Sequence, residues 1–296
     1  MQSIKDWCHG MVFSARLVRD GFLEVFEDDT LIAIYRYGGG IRKPYFYPIY
    51  APKGMMVTRD EPPDHIHHRS LWTAHGDVNG VDLWSEKPTA GFIKCADNPT
   101  ISLRSDVCVL NSINLWLSVE GGRLMDESRV VAFWKTRNDI RLIDYEVEFR
   151  ASYGDVTLGD TKEGGIVALR VVDSMRESVG GGVIMNSEGG VGEPQCWGKR
   201  ARWCDYTGRV DGEIAGITIF DHPSNPRHPT YWHVRAYGLF AVNCFGLRDF
   251  EGRKDVDGSM KIDRGSNVKF RYRIMLHRGR LSRDDIEEYY REYASI

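Results

Sequence analysis

Four of the chain's nine histidines, His65, His67, His68 and His75, fall within a short polar stretch. The stretch reads Asp64-His-Ile-His-His-Arg69, followed by Trp72, His75-Gly-Asp77, Asn79, Asp82 and Trp84. Imidazole donates, accepts or ligates near neutral pH, so such a cluster points to proton transfer, metal binding or a hydrogen-bonded loop brace. None of the four sits in an alternating apolar pattern, and Pro62-Pro63 leads into them as a stiff loop.

A second block, Asp221-His-Pro-Ser-Asn-Pro-Arg-His-Pro229, carries three prolines and cannot be a central strand. It runs into Trp232-His-Val-Arg235 and Tyr237, where strand periodicity puts His233, Arg235 and Tyr237 on one face and Trp232 on the other. Two acids stand near aromatic or turn residues: Glu163 in Thr161-Lys-Glu-Gly-Gly165 and Asp205 in Arg202-Trp-Cys-Asp-Tyr206. A histidine-rich site needs such carboxylates to orient its imidazoles or to take protons. The chain has no G-x-G-x-x-G, phosphate loop, G-x-S-x-G or H-E-x-x-H pattern, which sets aside the activities those motifs serve.

The elements that must position these groups read as strands. Ile113, Leu115, Leu117 and Val119 alternate onto one face; so do Tyr145, Val147 and Phe149. In Val268–Ile274 the pattern leaves Lys269, Arg271 and Arg273 outside. Shorter strand candidates lie near 11–18, 22–27, 30–37, 100–110, 129–134, 165–172, 214–220 and 237–245, punctuated by glycine pairs and triplets suited to turns. One helix is expected near the C-terminus, capped by Ser282 with Asp285 three residues on. No linker or repeat divides the chain, so the expectation is all-β: one large antiparallel sandwich over residues 1–296 with a short C-terminal helix.

A net charge of −3 gives no drive toward nucleic acid, and no run of ~18 apolar residues could span a bilayer. The N-terminal stretch shows no secretory pattern, and the six cysteines form no C-x-x-C pair. These features predict reduced thiols, a cytoplasmic address, and neither nucleic-acid nor membrane partners. Oligomerisation stays open.

The blocks Arg42-Lys-Pro-Tyr-Phe-Tyr-Pro48, Asp64–Arg69, His75-Gly-Asp-Val-Asn-Gly80 with Trp84, and His222–Pro229 with Trp232 and Arg235 resemble the bacterial PmoA-like family, which carries a methane-oxygenase label. His75-Gly with Gly80-Val-Asp82 is similar to a segment of aldose 1-epimerases. The second resemblance implies a galactose-mutarotase-like supersandwich acting on sugars; the first implies association with sugar oxidation, hence a sugar, keto-sugar or glycoside as ligand.

Together these readings predict acid/base chemistry on a carbohydrate: epimerisation, β-elimination or hydration. His68, His75 and His233 are the candidate acid/base groups, with Glu163 or Asp205 as their carboxylate partner. Arg69 and Arg235 would hold ligand oxygens, Asn79 and Tyr237 would add hydrogen bonds, and Trp72, Trp84 and Trp232 could stack on a pyranose. No cofactor is expected. The alternatives are a divalent-metal oxygenase or lyase, with ligands from His65, His67, His68, His75, Asp64 and Asp77, and a non-catalytic carbohydrate-binding subunit.

Overall fold

Alternating burial shapes most of the chain into strands, and a computed structural model describes residues 12–18 and 21–296. Cys8 lies outside the described residues; Cys95, Cys108, Cys196, Cys204 and Cys244 are free and buried. The first sheet runs in spatial order β1 (Phe13–Val18), β2 (Phe22–Glu27), β3 (Thr30–Arg36), β4 (Tyr45–Ala51), β6 (Leu71–His75), β13 (Gly164–Arg170), β18 (Leu239–Asn243) and β17 (Tyr231–Val234). A two-residue β5 (Met55–Met56) pairs with β4.

The second sheet runs β14 (Gly182–Asn186), β15 (Trp203–Val210), β16 (Glu213–Asp221), β20 (Asn267–Arg278), β11 (Ile140–Arg150), β10 (Arg123–Trp134), β9 (Val107–Leu117) and β7 (Phe92–Cys95). β8 (Thr100–Leu103) pairs with β9, and β12 (Val156–Leu158) with β19 (Met260–Ile262) makes a small separate ribbon. Strand neighbours in both large sheets pair antiparallel. The sheets face each other across one apolar core that includes Val25, Ile32 and Phe46 from the first and Phe133, Tyr145 and Ile217 from the second.

The β11 alternation falls as its sequence indicates, with Tyr145, Val147 and Phe149 in the core. β9 reverses the expected sense. Ile113 is 51 % exposed, and the buried face of the strand carries Ser112, Asn114 and Trp116. Polar residues turn inward there because they have a partner: Asn114 Nδ2 and Trp116 Nε1 donate to Glu127 at 3.0 and 2.7 Å. Glu127 pairs in turn with Arg129 at 2.6 Å, and both side chains are wholly buried. In β20, Arg273 keeps to the outer face as expected but is buried there by the C-terminal helix, held by Asp144 and lying 4.7 Å from the centre of the Tyr293 ring.

The C-terminal helix, Arg283–Ala294, carries the expected box: Ser282 Oγ accepts from Asp285 N, and the Asp285 carboxylate accepts from Ser282 N at 2.8 Å. Ile286, Tyr290 and Tyr293 pack on Trp203, Phe220 and Met275, covering part of the second sheet's outer face. Among the described residues no helix is long and apolar enough to cross a membrane.

The middle of the first sheet is covered on both faces. Every residue of β6, β13, β17 and β18 is buried. In β6, Leu71 joins the central core and Thr73 Oγ1 lies 3.0 Å from the Tyr145 hydroxyl of the facing sheet. Trp72 and Ala74 point the other way, into a separate cluster with Tyr45, Trp84, Ala168, Leu239 and Ala241. This outer layer carries the polar residues of interest.

Position 164, where β13 begins, suits only glycine because a side chain does not fit there. An added Cβ would stand 2.6 Å from His75 Nδ1 and 3.2 Å from its Cε1. Gly164→Ala is therefore expected to destabilise the fold by ~1–3 kcal/mol, since His75 is packed and cannot yield freely. Chemical denaturation checks this; an unchanged midpoint would show that the ring relocates without penalty.

Candidate active site

A cleft of about 570 Å³ opens on this outer layer. One wall comes from the 61–68 loop, through His65, His67 and His68, and from the 76–87 segment, through Gly76, Asp82, Trp84, Ser85 and Lys87. The other comes from Thr161, Lys162 and Glu163 ahead of β13 and from His233, Arg235 and Tyr237 on and after β17. Strand parity accounts for the second wall: Trp232 and Val234 enter the central core, so His233 faces outward.

Hydrogen bonding fixes which nitrogen carries the proton in two of the cleft's rings, His233 and His68. His233 Nδ1 lies 2.8 Å from the Lys162 carbonyl, which can only accept, so the proton sits on Nδ1 and Nε2 keeps its lone pair. Burial pushes the His233 imidazolium down to about 4, against a counteracting pull from Glu163. The ring is therefore neutral at pH 7, with an acceptor nitrogen in the cleft wall. His68 is the mirror case. Its Nδ1 lies 3.3 Å from Arg170 Nη1, which can only donate, so the ring proton is on Nε2. Burial and the positive charge around it hold His68 far below the usual imidazole range, making it a hydrogen-bond donor and not a base. His67 is lowered to about 4 by burial and by Lys43 and His65.

Tyr237 stacks on His65, with ring centres 4.9 Å apart and planes 8° from parallel. The Arg170 and Arg235 guanidiniums lie 5.0 and 5.4 Å from its ring centre. Burial raises its phenol to about 12, so it stays protonated and able to donate. Glu163 is half-exposed at the cleft, and its carboxylate pairs with Lys162 at 2.8 Å. Its carbonyl accepts from Gly76 N at 2.6 Å, joining the two walls.

Several residues singled out in the sequence lie elsewhere. His75 shares strand parity with Leu71 and Thr73; it points beneath the cleft, against Phe245, with Nε2 3.0 Å from the Gly159 carbonyl. Asp205 belongs to β15 in the other sheet, buried and bound by Thr207, Thr218 and His277. Asn79 staples its loop to the small ribbon through Thr157 N and the Asp155 carbonyl. Arg69 faces away, its guanidinium shared among Glu86, Asp60 and Glu61. Trp72 lies under His68, and Trp232 is in the central core with Nε1 donating to Ala201 O at 2.9 Å; neither ring can reach a ligand. Of the three tryptophans only Trp84 reaches the cleft, as a nearly buried wall.

The proline-rich loop also stays out: Asp221 gathers Asn225, His228 and Thr230, and His222 packs on Tyr293. The proposed metal ligands do not assemble, because His75 points inward and Asp77 accepts from Gly80 N at 2.8 Å. Among the described residues no group of three or more His, Cys, Asp or Glu side chains is placed to hold a metal.

Two residues to which the sequence motifs assign no role support the walls: Arg170, outside every motif, and Lys43, inside the 42–48 block. Arg170 is fully buried and bonds both Asp64 oxygens at 2.7 and 2.9 Å. A lone cation ending the apolar run Ile166–Leu169 is the signal that could have found it. Lys43, also buried, donates to Trp84 O and pairs with Glu86, both at 2.8 Å; burial lowers it to about 8.

Fold and site define a mostly β protein, a two-sheet sandwich bearing a histidine-lined polar cleft on the outer face of one sheet. The chain belongs to the DUF6807 family, a family of unknown function, matched over residues 23–291. The blocks from 42 to 235 that resemble the PmoA-like family lie inside that span. No curated protein matches the chain. Among solved structures it is similar to heparan sulfate lyase HepC from Pedobacter heparinus, with TM-score 0.45 and 10% identity, covering 90% of this chain and 37% of the lyase. It is also similar to a GalM/aldose epimerase homologue from C. elegans, with TM-score 0.34 and 7% identity, covering 91% of this chain and 99% of that one. The chain thus spans little more than a third of the lyase's length.

Proposed function

We propose that this protein is a carbohydrate-active enzyme that removes and returns a proton at a carbon beside a carbonyl group. The observation that carries this reading is the pairing of two neutral histidines of opposite tautomer in one sugar-sized cleft. His233 offers a bare Nε2, and His68 an Nε2–H. A base near the carbon and donors near the oxygen are what enolisation needs.

His233 Nε2 takes the proton, and the nearby Glu163 carboxylate stabilises the imidazolium that forms. The electron pair of the broken C–H bond moves into a carbon–carbon double bond, and the carbonyl electrons move onto oxygen. Tyr237 and His68 donate to that oxygen, and the Arg235 charge lies nearby. Return of a proton to the other face gives an epimer; loss of a β-substituent gives an elimination product.

The test is incubation with sugars, glycosides and their keto derivatives in deuterated water. Deuterium is expected at the carbon beside the carbonyl, read by NMR. Binding across a broad panel with no exchange would make the protein a carbohydrate-binding subunit instead.

A further inference from the structure

The charges of the cleft are already balanced within the protein. Lys162 pairs with Glu163 at 2.8 Å, and Arg235 with Glu193 at 2.7 Å. Asp82 accepts from Trp84 N, Ser85 N and the Ser85 hydroxyl, and its charge is faced by Lys87. Behind the wall, Arg170 is matched by Asp64 and Lys43 by Glu86. Of the four imidazoles in the walls, His65 lies beside Asp64; the groups left to meet a ligand are the neutral rings of His67, His68 and His233, the Tyr237 phenol and the Thr161 hydroxyl, with the exposed Lys87 beside them.

We infer that the ligand is an uncharged sugar activated by a ketone or aldehyde, and not a sugar acid. This rests on the acid/base reading above and narrows it. A carboxylate entering the cleft would have to compete with Glu163 and Glu193 for their cations or rely on the solvent-screened Lys87, which already faces Asp82. The reaction leads to the same choice. Proton removal beside a carboxylate places a second negative charge on an existing anion, which demands concentrated, unpaired positive charge. Removal beside a ketone develops one charge on one oxygen, and neutral donors such as Tyr237 and the His68 Nε2–H suffice. The step needs no oxidant or reductant: a proton passes from carbon to His233 Nε2, and the electrons remain in the enolate.

The experiment titrates the protein, by NMR, with methyl glucoside, methyl galactoside, their 3-keto derivatives, and methyl glucuronide and galacturonide. The uncharged glycosides are expected to bind, and the uronides about tenfold or more weakly. Glu193→Gln keeps an oxygen facing Arg235 but removes the balancing charge. It should raise uronide affinity about tenfold while leaving the uncharged ligands nearly unchanged. Uronides that bind as well as their neutral counterparts, failure of every uncharged glycoside to bind, or no gain in Glu193→Gln would each overturn the inference. Isotope exchange separates it from the enzymic reading. The expected binding order without exchange removes the chemistry but keeps the ligand class; exchange on a tightly bound uronide does the reverse.

Discussion

His233→Gln is expected to slow deuterium exchange by ~10²–10⁴-fold while ligand affinity changes little, because glutamine keeps a hydrogen-bonding amide but cannot take up a proton. The pH profile gives an independent check. The base form of His233 exists only above its folded value of about 4, so kcat/KM should rise with pH through that region and be level at neutrality. An ordinary histidine would put this limb near 6.5. A limb at 6.5, or full activity in the glutamine variant, would remove His233 as the base. The upper limb should not begin until Tyr237 loses its proton, toward about 12.

The second large effect is on stability and lies in the sandwich interior. Arg129→Met leaves Glu127 charged in a site of zero exposure, with only Asn114 and Trp116 donating to it. Removing one partner of such a pair costs about 3–5 kcal/mol, whereas replacing both ions with apolar residues of similar volume is often near neutral. Urea unfolding of Arg129→Met beside Arg129→Met/Glu127→Leu measures both. A single variant as stable as the parent would mean that the carboxylate is protonated or hydrated in the fold.

That pair also shows where reading the sequence stops. Alternation placed Ile113 and Leu115 together correctly, but which face of β9 is buried depends on Glu127 and Arg129 in the next strand. Apolar periodicity works where the opposite face is wet, as in β11 and the first half of β20, and the helix cap is plain because its signal lies within four residues. β6 was not legible as a strand, because cleft loops cover its outer side and both faces are buried.

The same limit governs the site. His233, Arg235 and Tyr237 followed from parity within one segment. Glu163 came from a turn and lines the cleft, whereas Asp205, equally suggestive as a sequence, lies in the opposite sheet. His75 sits at odd parity with Trp72, which by itself assigns the two to opposite faces; motif density obscured that. Arg170 and Glu193 belong to no cluster, and their importance appears only when the ion pairs are traced in space.

Arg170 has a further consequence. Its guanidinium reaches Asp64 and His68 at the tip of one loop and lies against Tyr237 on the opposite bank. The aperture between the banks is thus gauged by the reach of one rigid side chain rooted in a buried strand. A lysine at this position would preserve the charge, but its single nitrogen could not hold the carboxylate with a two-pronged grip, donate to the imidazole and lay a flat face on the phenol together. The spacing of the entrance is therefore a property of planarity more than of charge.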